Sequence, residues 1–240
     1  MNLTIAETYQ EMSKLAAEDL LRLILLFDKP LICTASGASP AEMYSELVNL
    51  IESSGVDTSD WYFVGLDEWK GMNEQDEGSS RAQLNEQLLR PLHVADERFC
   101  YFDGRASNLE GECQRIEDFI RKHGGISVAI LGIGVNGHIA MNEPGTDASL
   151  RSHIAAIHPS TQQVGQKYFK QPRQLDSGVT LGMATILEAK HLMLLASGTT
   201  KTAIMKEMLQ APISEELPAS LLRNHPNLSI YLDAEAAKLI

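Results

Sequence analysis

Short apolar runs alternate with amphipathic segments along this chain, and no other feature restricts the fold as strongly. Strand-length apolar runs occur at Leu31–Ala35, Trp61–Leu66, Phe99–Phe102, Ile126–Leu131, Val179–Leu181, His191–Ala196 and Leu228–Leu232. Between several of these runs, apolar residues recur at the three- and four-residue steps of a buried helical stripe, as at Leu109, Cys113, Ile116 and Ile120. Strands that alternate with helices predict an α/β fold with a mainly parallel sheet and helices on both of its faces.

The predicted helices have recognisable ends. The first extends from Tyr9 to Phe27, and another covers Ser79–Leu89. The helix after the Leu31–Ala35 strand is expected to begin with Ser39 as N-cap and Pro40 in the first helical position, and to extend to about Ile51. Glu42 would complete a capping box with Ser39.

The chain is predicted to form a single domain, residues 1–240. Its hydrophobic content is 44% and its charged content 22%, and no Pro/Ser-rich linker or run of charge divides it. Only the polar, weakly patterned segment 145–176 interrupts the alternation of strands and helices. A stretch of that length without secondary structure is uncommon unless it is functional, so we predict a lid; a plain surface excursion is the alternative.

Charge and composition exclude several classes of partner. The formal net charge is −12, and such a surface repels nucleic acid, whose binding depends on Lys and Arg. The first residues do not read as a signal peptide, and no apolar run is long enough to cross a membrane. The three cysteines lack metal-type spacing and are expected to be free thiols. A cytoplasmic protein is therefore predicted, and homo-oligomerisation is left open.

A glycine-rich loop with several polar side chains follows the Ile126–Leu131 strand. Residues 132–144 read G-I-G-V-N-G-H-I-A-M-N-E-P. A loop after a buried strand of an open α/β sheet is where such folds place their ligands. His138 and Glu143 are close enough in sequence for the carboxylate to fix the tautomer of the imidazole. We interpret the loop as part of an active site; an ordinary turn with a structural His is the alternative.

Two further strand ends predict phosphate contacts. Residues Ser36, Gly37, Ala38 and Ser39 stand between a strand and a helix, and residues Gly198–Lys201 repeat this arrangement with a lysine. Helix N-termini of this kind present free N–H groups and a partial positive charge to an anion. The alternatives are ordinary strand-to-helix turns and an exposed Lys201.

Asp67 follows the Trp61–Leu66 strand and is a further candidate site residue, beside the glycine-rich loop and the two phosphate-type turns. It is predicted to be catalytic, with a role as helix cap as the alternative. Isomerisation of a sugar phosphate requires a carboxylate that moves a proton next to a carbonyl, a second acid/base group that opens the ring, and a site for the phosphate. Such an enolisation needs no metal, so we expect no metal ion and no other cofactor.

The motifs together resemble those of the glucosamine-6-phosphate deaminase (isomerase) family. The resemblance rests on G-x-G-x-N-G-H-I-A-x-N-E-P at Gly132–Pro144, L-D-E-W at Leu66–Trp69 and S-G-A-S-P at Ser36–Pro40. It implies a Rossmann-like fold of the sugar-phosphate isomerase type, and a reaction that converts a hexosamine 6-phosphate to a ketohexose 6-phosphate and ammonia. Within the family, the motifs look most like those of the galactosamine-6-phosphate isomerases.

The resemblance also implies roles for individual residues. Asp67 would be the base that carries a proton between C2 and C1 of the sugar. His138 would protonate the ring oxygen during ring opening, and Glu143 would hold it. Asn136 stands where many members have Asp, so His138 is expected to depend more on Glu143 here. The segment Ser36–Ser39 and Lys201 would bind the phosphate.

Two departures from the family pattern concern phosphate binding. Lys167 occupies the lid position where the family usually has Arg, and a Lys makes a point-charge contact instead of a bidentate one. Ala38 stands where a Gly is common, so the loop is expected to differ slightly in shape.

Two other functions stay open at this point. The wider superfamily includes 6-phosphogluconolactonase, a hydrolase whose comparable loop looks like G-x-G-x-D-G-H-x-A-S-L-F-P. A non-catalytic sugar-phosphate sensor is the other alternative, although this acidic chain has no basic segment that would bind DNA.

Overall fold

A parallel sheet of seven strands dominates the computed structural model, which describes residues 1–240. The strands are β1 Asn2–Ala6, β2 Leu31–Thr34, β3 Tyr62–Gly65, β4 Asp67–Trp69, β5 Phe99–Cys100, β6 Val128–Gly132, β7 His153–Ala156, β8 Ser177–Thr180, β9 His191–Ala196 and β10 Leu228–Asp233. The large sheet has the order β1-β10-β9-β6-β2-β3-β5, and all of its pairs are parallel. The predicted fold class is confirmed.

Helices cover both faces of this sheet. They are α1 Tyr9–Ile24, α2 Ala38–Ser54, α3 Ser80–Leu84, α4 Leu109–Lys122, α5 Pro159–Gly165, α6 Met183–Leu187, α7 Thr202–Gln210 and α8 Pro218–Leu221. A π-helical turn at Asn85–Leu89 continues α3, and 3-10 turns occur at Asp96–Arg98, Gln166–Tyr168, Thr199–Lys201 and Leu222–Asn224. None of the helices combines the length and apolar character needed to span a bilayer.

The hydrophobic core has one cluster on each face of the sheet. Successive residues of a strand point to opposite faces, and accordingly Cys33 belongs to the larger cluster and Ile32 to the other. The larger cluster includes Ile116 of α4, and the second includes Leu20 of α1 and Leu47 of α2. All three cysteines are buried free thiols, as predicted.

A second, three-stranded antiparallel sheet packs beside the large one, in the order β4-β8-β7. Strand β8 was predicted as part of the regular alternation, whereas β4 and β7 were not predicted. Strand β7 lies within segment 145–176, which also contains α5, so this segment is more regular than its sequence pattern indicates. The burial along β7 is intermediate, exposed, buried and exposed, so it presents little apolar surface that a sequence pattern could reveal.

One strand at the N-terminal side of the chain was not predicted, and two predicted helix boundaries there were wrong. Strand β1 was missed because it lies at the edge of the sheet and is mostly exposed. Helix α1 ends at Ile24 instead of Phe27. Helix α2 begins at Ala38, and its N-cap is Gly37 with φ 102° and no side-chain cap, so Ser39 is not the N-cap. Only Gly adopts this conformation without strain, which is why the glycine sets the helix start.

Candidate active site

Loops from four adjacent strands of the large sheet converge on one cavity. They leave the carboxyl ends of β2, β3, β6 and β9, which is where ligands bind in open α/β sheets. Most of the residues singled out in the sequence line this cavity, namely Ser36, Gly37, Ala38, Ser39, Asp67, His138, Lys167 and Lys201. Asn136 and Glu143 do not line it and instead form hydrogen bonds around His138. No group of His, Cys, Asp and Glu side chains is arranged to hold a metal ion.

Asp67 lies where β3 passes into β4, and its carboxylate is part of the cavity wall. Its Oδ1 accepts a hydrogen bond of 3.0 Å from the hydroxyl of Ser80. Burial raises the pKa of Asp67 to about 6, although the Ser80 hydrogen bond and the charge of His138 oppose this effect. A carboxyl group with a pKa near the working pH is well matched to the role of a general base.

Glu68, next in sequence, has a structural role that the sequence did not reveal. Its side chain is almost completely buried, and its carboxylate accepts hydrogen bonds from the backbone N–H groups of Trp69, Ser80 and Arg81, at 2.9, 3.1 and 3.0 Å. Burial raises the pKa of Glu68 to about 7. The carboxylate thereby ties the start of α3 to the strand end that carries Asp67.

His138 is oriented by a chain of hydrogen bonds. The carboxylate Oε2 of Glu143 accepts a bond of 2.7 Å from Nδ2 of Asn136, so the Oδ1 of Asn136 is the atom turned towards His138. That oxygen lies 2.8 Å from Nδ1 of His138. Because an amide oxygen only accepts, Nδ1 must carry the proton. The other ring nitrogen, Nε2, is left to exchange a proton with a ligand.

Greater dependence of His138 on Glu143, expected because Asn replaces the usual Asp at residue 136, stays a prediction, and the structure places Asn136 between the two side chains. Nδ1 of His138 is 3.5 Å from Oε2 of Glu143, beyond the distance of a good hydrogen bond, whereas Asn136 is in direct contact. Burial opposes ionisation of Glu143, but the nearby His138 ring and its charge, and the hydrogen bond from Asn136, together hold the pKa of Glu143 below its ordinary value. Glu143 therefore acts mainly through Asn136.

Gly134 provides the space in which the His138 ring lies. A Cβ atom at residue 134 would be 2.2 Å from Nδ1 and Cε1 of that ring. Any larger residue would displace the imidazole. The hydroxyl of Thr161, on α5 within segment 145–176, contacts Nδ1 at 3.1 Å. Thr161 was not singled out in the sequence, because it lies 23 residues from His138.

Both predicted phosphate-binding turns contribute to the cavity wall, the first through Ser36–Ser39 and the second through Lys201. At Gly37 the backbone N–H donates to Oε1 of Gln83 at 3.1 Å, so this N–H is already satisfied and a phosphate would have to replace the Gln83 oxygen. Gly198 has φ 82°, which again favours glycine at the start of a helical turn. The first turn of α2 has N–H groups without helical acceptors, as every helix start does.

Two lysines carry the positive charge of the cavity. Nζ of Lys201 donates to the backbone oxygen of Ile133 at 2.5 Å. Burial, together with the charge of Lys167, lowers the pKa of Lys201 to about 8. The two cations repel each other in the absence of an anion, so a bound dianion would relieve this repulsion.

Segment 145–176 contacts the opposite wall of the cavity through Tyr168. A Cβ at Gly37 would lie 3.1 Å from the Tyr168 hydroxyl oxygen, and a Cβ at Gly78 would lie 2.3 Å from the Tyr168 backbone oxygen. Lys170 forms an ion pair of 2.6 Å with Glu77 nearby. The segment thus closes over the loops that carry Ser36–Ser39 and residue 78.

Comparison with known proteins gives a consistent family match. The model for "Glucosamine-6-phosphate isomerases/6-phosphogluconolactonase" matches residues 5–230. Glucosamine-6-phosphate deaminases of Alkaliphilus metalliredigens (strain QYMF) and Halothermothrix orenii (strain H 168) are 36% and 35% identical to the chain, and each alignment covers 100% of both proteins.

Solved structures show the same relationship. A monomeric glucosamine-6-phosphate deaminase, described as a missing link of the NagB superfamily, superimposes with a TM-score of 0.96 at 32% identity over 100% of both chains. The 6-phosphogluconolactonase of Trypanosoma brucei, at 21% identity, has a TM-score of 0.75 over 99% of this chain and 97% of its own. This second similarity concerns the fold alone.

Proposed function

We propose that this chain, which belongs to the family of glucosamine-6-phosphate isomerases and 6-phosphogluconolactonases, converts a hexosamine 6-phosphate and water to a ketohexose 6-phosphate and ammonia. The observation that carries the proposal is the shared cavity of Asp67, His138 and two helical turns of phosphate-binding type. Relatives more than 30% identical over the full length are named glucosamine-6-phosphate deaminases, which supports it.

The phosphate is the first group to be bound. Backbone N–H groups of Ser36–Ser39 at the start of α2 supply donors, with the phosphate replacing Gln83 as the acceptor at Gly37, and Lys201 supplies charge. Lys167 reaches the cavity from the segment 145–176, so a bound phosphate would draw this segment inwards. We therefore propose that the segment is a lid, with Lys167 in the place of the usual arginine.

His138 opens the sugar ring. With Nδ1 protonated and bonded to Asn136, the free Nε2 takes the proton of the anomeric hydroxyl and returns it to the ring oxygen. This leaves an open-chain aldose with a free carbonyl at C1. Glu143 keeps Asn136 in the required orientation.

Asp67 then isomerises the open chain. Its carboxylate takes the proton from C2, which is acidic because it is next to the C1 carbonyl, and delivers a proton to C1. One proton passes from the nitrogen to the C1 oxygen, so that C1 becomes a CH2OH group and the nitrogen is left as an imine on C2. Water hydrolyses this imine to the ketone and ammonia. A pKa of about 6 leaves Asp67 mostly ionised at neutral pH and still basic enough to accept a proton.

Several finer features are part of the proposal. Both galactosamine 6-phosphate and glucosamine 6-phosphate are proposed as substrates, because the motifs look most like those of galactosamine-6-phosphate isomerases while the named relatives are glucosamine-6-phosphate deaminases. The protein is proposed to be cytoplasmic. A solved relative is described as monomeric, and the proposed reaction assigns no role to a second chain.

The alternatives give different products. Ammonia and ketose from either hexosamine 6-phosphate would support the proposal, and the faster substrate would identify the preferred epimer. Acid release from 6-phosphogluconolactone, without ammonia from the amino sugars, would favour a lactonase. Binding of the sugar phosphates with no turnover of any of the three would favour a sensor. One assay on the purified chain with these three compounds separates the outcomes.

A further inference from the structure

We propose that Ser80 is a positioning residue for the proton transfer: its hydroxyl holds Oδ1 of Asp67 so that Oδ2 is the oxygen that meets the substrate carbon. The inference rests on the proposed function, because it concerns the same base. It assigns a role to a residue that lies 13 positions from Asp67 and belongs to a different element, the first turn of α3.

The direction of the hydrogen bonds is fixed by the chemistry of the groups. An ionised carboxylate can only accept, so the single hydroxyl proton of Ser80 is donated to Asp67 at 3.0 Å. The oxygen of Ser80 in turn accepts a bond of 3.1 Å from the hydroxyl of Ser36. Ser36 belongs to the turn proposed to bind phosphate, so a continuous hydrogen-bonded chain joins that turn to the base.

Ser80 is itself held rigidly. Its N–H donates to Oε1 of Glu68, and the next N–H, that of Arg81, donates to Oε2. Glu68 adjoins Asp67 in the chain, so one buried carboxylate fixes the backbone of the base and that of its partner together. Ser79 caps the helix by accepting from the N–H of Ala82 at 3.0 Å.

The side chain of Arg81 anchors the same turn on its other side. Its side chain is almost completely buried, and its guanidinium carbon lies 4.3 Å from the ring centroid of Phe99 and 3.9 Å from that of Tyr101. Such stacking on aromatic faces favours one position of the residue. Ser80 is thus placed between two anchored neighbours, Ser79 and Arg81.

Two consequences follow for the reaction. Because Oδ1 accepts the hydrogen bond from Ser80, the carboxylate of Asp67 cannot rotate freely. Oδ2 therefore keeps one direction, and less orientational entropy is lost when the proton-transfer geometry forms. The same hydrogen bond stabilises the ionised form of Asp67 against the effect of burial. Loss of the hydroxyl should therefore reduce the rate of the chemical step and move the titration of Asp67 to higher pH.

The test compares Ser80→Ala with Ser80→Thr and with a matched control, Ser177→Ala. Ser177 also donates its hydroxyl to an aspartate, Oδ1 of Asp176 at 3.0 Å, but it does not line the cavity. Ser80→Ala loses a hydrogen bond to a charged group, so its kcat should be lower by roughly 10- to 100-fold, with little change in KM. The acid limb of the kcat/KM profile should move up by about one pH unit.

Ser80→Thr, which keeps the hydroxyl, should recover most of the activity, and Ser177→Ala should match the unsubstituted protein in kcat and in its pH profile. An unchanged kcat and acid limb in Ser80→Ala would overturn the inference. A loss in Ser80→Ala that occurs without any movement of the acid limb would overturn it too, since it would indicate a purely structural effect.

A second measurement separates this inference from the proposed function. The pKa of Asp67 can be followed by carbon NMR of its carboxyl group without any substrate. An upward shift in Ser80→Ala, absent in Ser177→Ala, supports the Ser80–Asp67 contact even if no ammonia is released by the unsubstituted protein. Identical titrations in all variants would overturn the inference while leaving the deaminase reaction intact.

Discussion

Replacing Asp67 with Asn is expected to stop turnover while making the folded protein more stable at neutral pH. The neutral amide cannot accept a proton from C2, so ammonia release should fall below detection. Its Oδ1 can still accept the hydrogen bond from Ser80, so the local structure is kept. The stability gain arises because burial of the ionised carboxylate of Asp67 lowers the free energy of unfolding, and Asn has no charge to bury.

The pKa of Asp67 gives the magnitude and the pH range of this gain. Burial raises it from an ordinary value of 3.8 to about 6. A raised carboxyl pKa means that the folded chain binds more protons than the unfolded chain between these values, so stability falls as pH rises through this range. Above pH 7 the cost of ionised Asp67 is about 3 kcal/mol; it falls to roughly 0.5 kcal/mol at pH 4 and vanishes below about pH 3.

Thermal unfolding followed by circular dichroism measures the effect. For a chain of this size, about 3 kcal/mol corresponds to a rise in Tm of roughly 6–12 °C at pH 8. The difference between Asp67→Asn and the unsubstituted protein should shrink towards zero near pH 4. Asp57→Asn is the control, because the backbone hydrogen bond from Ser59 lowers the pKa of Asp57 and no such gain is expected there.

Two results would refute this reasoning. One is an Asp67→Asn protein that is no more stable than the unsubstituted protein at pH 8. The other is a stability difference of the same size at pH 4 and pH 8, because an effect that does not depend on pH cannot come from ionisation.

Three further predictions concern other parts of the cavity. His138→Gln should reduce kcat strongly with the cyclic sugar phosphate and much less with an open-chain analogue; equal losses with both would contradict a role in ring opening. Burial lowers the pKa of Lys201 to about 8, so the unsubstituted protein should lose activity above pH 8 as Lys201 becomes neutral, whereas Lys201→Arg should keep a high kcat/KM there. The same decline of kcat/KM above pH 8 in both proteins would exclude this explanation. Gly134→Ala should lower activity by at least tenfold, because the added carbon would lie 2.2 Å from the His138 ring; near-normal activity would mean that the ring can move without consequence.

The parallel sheet could be predicted because its buried strands form apolar runs that are bounded by turns and helices. Strands β1 and β7 could not, because each is largely exposed and contributes little apolar pattern. The predicted start of α2 was wrong for a different reason. Ser is a favoured N-cap residue, which pointed to Ser39, but Gly37 adopts a positive φ and the helix begins directly after it.

For the cavity, residues that follow buried strands could be found from the sequence, and their partners could not. Asp67 and His138 stand at strand ends, where a local pattern marks them. Glu68 and Ser80 act through contacts between separate elements, and the segment that precedes Ser80 in the sequence indicates only an exposed acidic loop. The order of the bonds from Glu143 to Asn136 to His138 depends on which amide atom faces the ring, and no sequence pattern encodes that.

Proton transfer by Asp67 can be tested most directly by running the reaction in deuterium oxide and examining C1 of the ketose product by proton NMR. We predict that deuterium enters at most one of the two C1 hydrogen positions, because a fixed carboxylate delivers either the proton from C2 or a solvent deuteron exchanged for it to one face, and that Asp67→Asn yields no ketose. Equal labelling of both C1 positions, or undiminished formation of ketose by Asp67→Asn, would contradict the assignment of Asp67 as the base.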